Sequence, residues 1–186
     1  MGISTLIKTL TASTSASLEF VDGASDVTFD STYDEYMFVF TDINVATDGA
    51  DFVFQVNATD DAGGGYDTSP ITSTDFYSQH AEDASFAGLA YDTAKDQAQG
   101  TNFEKLVSDC GNGSDESAAG IMHLFSPAST TYVKHFYLTS QTNRLDDRSI
   151  QRHHAGYIND TTAIDEIQFK ASSGNFDGVI QMYGIA

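Results

Sequence analysis

The chain reads as an all-β protein: an antiparallel β-sandwich of jelly-roll type with a loop-rich middle segment, in one domain over residues 1–186. Three observations predict it. Period-two alternation of apolar and polar residues recurs in short runs along the chain, for example in "YMFVFTDI" and "TTYVKHFYLTS". The acidic residues are mostly aspartate, which suits turns and caps better than helix interiors. The length, 186 residues, fits a single domain whose 40% apolar content can build a core.

Taken in order, Leu6–Leu10 and Ser17–Val21 form the first strands. "YMFVFTDI" sets Tyr36, Phe38 and Phe40 on one face and Met37, Val39 and Thr41 on the other. Both faces are largely apolar, which predicts a central strand. "DFVFQVNA" points Phe52, Phe54 and Val56 inward and Val53, Gln55 and Asn57 outward. Asp48-Gly49 between the two is a turn signal and suggests that they pair as a hairpin. "TDDAGGGYDTS" reads as a loop, since three consecutive glycines offer nothing to pack. Residues 80–118 are weakly patterned, and "NFEKLVSD" suggests one or two helical turns with Phe103, Leu106 and Val107 on one side. "GIMHLFS" and "TTYVKHFYLTS" are strands flanking a corner at Pro127, which has no N–H to give a ladder. "RHHAGYIND" and "IDEIQFKAS" follow, and the last strand places Phe176, Ile180 and Met182 on one face. The final two strands are expected to form a hairpin around "SSGN", with the closing strand a paired member of a sheet.

Composition excludes several functions. A formal net charge of −19 argues against nucleic acid, whose phosphates need clustered Lys and Arg, and against an anionic membrane surface. No run reaches the roughly 18 apolar residues of a membrane helix. The first residues, "MGISTLIKTLTAS", lack the basic start and long apolar core of a secretory leader. The single cysteine, Cys110, permits neither an internal disulfide nor a multi-cysteine metal site and is expected in a loop as an inert thiol.

No catalytic pattern is present. There is no G-x-S-x-G elbow and no H-E-x-x-H. A chain this rich in carboxylates brings some acid pair to glycosidase spacing by chance, so that signal carries no weight. Asp48 with Asp51, and Asp60 with Asp61, offer oxygen donors of the kind calcium takes, but solvated turns explain both. Of the five histidines, His123 and His135 sit among apolar neighbours and read as partly buried; nothing in the spacing converges on a metal. The reading is therefore of a non-enzyme with no metal and no cofactor.

Two surface features suggest contacts. All arginines fall in "RLDDRSIQRHH": Arg144, Arg148 and Arg152, followed by His153 and His154. In so acidic a chain this cluster is a candidate interface to a neighbouring copy's carboxylates, the alternative being local neutralisation by Asp146 and Asp147. Tyr66, Tyr77 and Tyr91, set among Ser, Asn and Asp, are candidate stacking platforms for a glycan.

Two stretches, "ASLEFVDGASDVTFDSTYDEYMFVFTDINVATDGADFVFQV" and, much later, "AIDEIQFKASSGNFDGVIQMYGI", resemble small virion proteins of tailed bacteriophages, particularly marine ones. The matching positions are Thr32, Tyr33 and Tyr36, then Ala46–Ala50, Ala163–Ile167, Asn175, Phe176, Tyr183, Gly184 and Ile185. The resemblance spans most of the chain and is weakest from about 60 to 118; its motifs are structural. It implies a β-sandwich on the particle exterior, without a cofactor; the lack of a secretory leader suits assembly in the host cytoplasm. The primary expectation is a head-decoration or cement-like subunit that associates with itself and with other virion proteins. The alternative is a tail-fibre or tail-tip module that recognises host-surface carbohydrate.

Overall fold

A computed structural model describes residues 4–59, 66 and 69–186. Among them there is no helix. Thirteen strands follow in order: β1 (Ser4–Ser15), β2 (Leu18–Val21), β3 (Glu35–Val45), β4 (Ala50–Ala58), β5 (Ile71–Ala81), β6 (Ala87–Tyr91), β7 (Ala98–Gly100), β8 (Glu104–Cys110), β9 (Ala118–Phe125), β10 (Lys134–Arg144), β11 (Arg148–Ile158), β12 (Ile164–Ala171) and β13 (Phe176–Ile185). All pairings are antiparallel.

Two layers result. The first runs β1-β13-β3-β9-β10-β11-β5, with β6 and β7 both on the far edge of β5; the second runs β8-β4-β12-β2. A single bridge, Arg144 opposite Cys110, joins β10 to β8 where the layers meet. Eight strands carry the nested pairing of a jelly roll: β1 with β13, β2 with β12, β3 with β9, and β4 with β8. The remaining five arise from two insertions, β5–β7 between β4 and β8 and β10–β11 between β9 and β12. Together they widen the first layer beyond β9.

The core lies between the layers and is dominated by phenylalanine. Phe38 and Phe40 of β3 meet Phe169 and Phe52 across the sandwich at ring-centre distances of 5.3 and 5.7 Å; Phe54 meets Phe136 edge-on at 5.3 Å. Tyr36, Phe38, Phe40, Phe52, Phe54, Val56, Phe176, Ile180 and Met182 are all buried, as the alternation predicts. β3 is central, held between β13 and β9.

Several local expectations fail for reasons visible in the pairing. The turn at Asp48-Gly49 forms, with Gly49 at φ 75°, but β3 and β4 pass into opposite layers and do not pair. The same holds for β12 and β13 around Ser172–Asn175. In a jelly roll a tight connection between successive strands can be a corner between sheets, and turn chemistry does not distinguish the two. Residues 104–110 are a strand, not helical turns: β8 bulges against β4 between the Val107 and Lys105 pairings, so Leu106 and Val107 are both buried and the alternation is lost. The middle segment thus holds three strands, β6, β7 and β8, where loops and one or two helical turns were expected. Val53 and Gln55 are buried although they face away from the core. Phe103 covers that side, under the Lys170 ammonium at 3.7 Å and against Tyr66. The glycine run at 63–65, with Asp60 and Asp61, lies outside the described residues.

Gly178 shows why one position must be glycine. It sits at φ 145° in a register shift of β13, and a Cβ there would approach Ile43 Cδ1 to 2.6 Å.

Candidate functional site

The widened layer has two faces of opposite chemistry. Its inner face, turned toward β8, is unusually polar for an interior. Asp75 on β5 is fully buried and accepts a hydrogen bond from Arg152 Nη1 on β11 at 2.6 Å. The Arg152 guanidinium also reaches Asp92 at 3.3 Å and lies over the Tyr77 ring at 5.0 Å. His154, two residues along the same face, stands 3.7 Å from Asp75 and 3.1 Å from Glu104 of β8. Burial drives the Asp75 carboxyl above its usual pKa, against the pull of Arg152 and His154. Arg152 with Asp75 and Asp92 links the inserted segments to one another, and His154 with Glu104 joins them to the jelly roll at β8.

This placement corrects the expected arginine interface at Arg152 and His154. Arg152 and His154 are 3% and 2% exposed, so neither can meet a neighbouring copy. Arg144 and Arg148 flank the β10–β11 hairpin and are neutralised within the chain. Arg144 pairs with Asp146 at 2.5 Å and Asp109 at 3.5 Å, and Arg148 with Asp146 at 3.2 Å. His153 alone of the five points outward, because β11 alternates. Its ring stacks on Phe76 at 5.0 Å.

The three tyrosines are not brought together either. Tyr66 donates its hydroxyl to Glu166 at 2.7 Å beside the second layer. Tyr77 faces inward under Arg152. Tyr91, exposed on β6, donates to Asp96 at 2.5 Å and stands opposite Phe76.

Asp51 is engaged by Lys95 at 3.4 Å and Lys105 at 3.8 Å; among the described residues, no group of three or more His, Cys, Asp or Glu could hold a metal ion. Cys110 ends β8, buried, and burial pushes its thiol up to about 12. We expect no labelling by a disulfide reagent at pH 8 in the folded protein and one thiol per chain in denaturant; ready native labelling contradicts this burial.

The outer face of β9, β10, β11 and β5 is the candidate functional surface. None of the chain's Asp, Glu, Lys or Arg side chains occupies an outward position on these four strands. Its cross-strand rows alternate in character. Tyr137, flanked by His123 and Ala155, leads one row, with the His123 and Tyr137 rings stacked at 4.6 Å. The next row is Ile121, Thr139, His153, Phe76; the one after it is Ala119, Gln141, Gln151, Ser78. The Phe76–His153 stack lies in a row between those that line two grooves of about 620 and 450 Å³. The larger is lined by Ser78, Ile121, Thr139, Gln141, Ser149 and Gln151, among others. These residues were missed in the sequence. The signal was there: every second residue of these strands is uncharged in a chain carrying 35 charged residues (27 acidic and 8 basic).

Compared with known proteins, the chain matches no protein-family model, no curated protein and no solved structure.

Proposed function

We propose that this chain is a non-enzymatic structural component of a bacteriophage exterior, acting through surface contact. The observation that carries the reading is the uncharged outer face. On a molecule of net charge −19, a broad surface free of formal charge is where another body can approach without repulsion or desolvated ions. Exposed Ile121, Tyr137 and Phe76 on it supply apolar area. The jelly-roll topology suits such a role, since it is used by capsid and lectin domains, and the resemblance to small virion proteins points the same way.

Contact through the outer strand edge is less suited. β1 carries Lys8 and two register irregularities, devices that blunt edge pairing.

Gold-labelled antibody against the chain, applied to tailed phage particles that encode it, is expected to mark the particle exterior at regular positions. Label on the head identifies a decoration subunit and label on the tail a fibre or tip module. Particles that stay clean while the lysate is labelled overturn the proposal.

A further inference from the structure

From the larger groove on the outer face we infer a binding site for a neutral oligosaccharide. The inference rests on the reading of that face as the contact surface and names what occupies it. It places recognition on the sheet, away from the loop tyrosines that the sequence suggested.

Three properties of the groove select this ligand class. The first is charge. The groove has no carboxylate, ammonium or guanidinium in its lining, its one ionisable side chain being the His80 imidazole, and the field of a −19 chain repels sialylated or sulfated glycans. The second is the type of polar group. Ser78, Ser149, Thr139, Gln141 and Gln151 each both donate and accept hydrogen bonds, as sugar hydroxyls do. Gln141 is already oriented, donating through Nε2 to the Thr142 carbonyl at 3.1 Å and to the Ser149 hydroxyl at 3.2 Å. Gln151 and Ser78 stand opposite each other in register with exposed side chains. The third is the aromatic stack beside it. The stacked Phe76 and His153 rings stand in the row next to Ser78 and Gln151, bordering the groove rather than lining it, where they offer the C–H face of a pyranose an apolar partner beside those polar groups.

The volume, about 620 Å³, lies in the range of small-ligand sites. A second copy of the chain fits less well as the occupant. The exposed apolar residues of the face, Ile121, Tyr137 and Phe76, are separated by Thr, Gln and Ser rather than gathered into the apolar centre that a stable self-interface requires.

The test is a glycan array of immobilised neutral, sialylated and sulfated oligosaccharides, followed by titration calorimetry with the strongest neutral responder. Phe76→Ala and Gln151→Ala are the variants, both at exposed positions, with melting curves to verify the fold. Binding to one or more neutral glycans, weakened about tenfold or more by each variant, is the expected result. Silence on neutral glycans, a response confined to anionic ones, or neutral binding that survives both variants overturns the inference. Light scattering separates the two readings. If no neutral glycan binds but Phe76→Ala abolishes a concentration-dependent dimer, the ligand class falls and the face stands as a contact surface. If the variants change neither glycan binding nor association, both readings of the face fall.

Discussion

Arg152→Ala is expected to destabilise the protein by about 3–5 kcal/mol, the cost of breaking a buried ion pair from one side. Asp75, fully buried, would lose the guanidinium that approaches it to 2.6 Å and keep its desolvation. At this chain length the loss corresponds to a melting point lower by roughly 6–20 °C. The pH dependence has a definite sign. Burial already raises the Asp75 pKa in the folded state, so the folded form binds a proton more tightly than the unfolded one. Its contribution therefore worsens as pH rises from the ordinary carboxylate range through the raised value. Removing Arg152 takes away a lowering influence and extends that window upward. The variant should accordingly lose more stability near pH 7 than near pH 5, as read from urea titrations at the two values. Replacing both partners, Asp75→Leu with Arg152→Met, should recover much of the loss. A single variant within about 1 kcal/mol of the parent at pH 7 would show that the pair does not hold the inserted strands.

The second large effect is at Phe169. Its ring lies 5.3 Å from Phe38, 6.1 Å from Phe20, 6.3 Å from Phe52 and 6.5 Å from Phe54. It thus connects strands of both layers. Phe169→Ala is expected to cost about 3–5 kcal/mol, from lost transfer energy plus the cavity left among rings that cannot collapse together. Against a total stability of order 5–15 kcal/mol, the variant should unfold at markedly lower urea. Ile167→Val, two residues away on the same buried face, should cost about 0.5–1.5 kcal/mol. Equal midpoints for Phe169→Ala and the parent would place the structural centre elsewhere.

The layered all-β architecture was legible because alternation is a direct record of a strand with one covered face. β3 and β13 announced themselves through Tyr36, Phe38 and Phe40 and through Phe176, Ile180 and Met182. Partners were not legible in the same way. Asp48-Gly49 and "SSGN" specify a tight reversal of the chain, and the reversal is the same whether the next strand lies alongside or crosses to the other layer. β8 was hidden by its bulge, which places Leu106 and Val107 on one side as a helix would. The arginine cluster illustrates a further limit. Arg144, Arg148 and Arg152 are neighbours in sequence, but β11 alternates, so Arg152 turns into the interior while His153 turns out. Asp75 and Asp92, the acids that meet Arg152, are far from it along the chain. The outer face was missed because its distinguishing property is the absence of charge on one side of β9, β10 and β11 and of the distant β5, a side that only the sheet order assembles.

The nesting of β1 against β13 bears on how the protein is made. Ser4 stands opposite Ile185, and β13 is the strand that fills the gap between β1 and β3. While a ribosome is still reading the codons before Phe176, β1 has no ladder to join and the phenylalanines of β3 lack one flank of their layer. Closure of the roll waits for residues 176–185 to emerge, and until then the first layer presents an unpaired edge on a strongly acidic polypeptide.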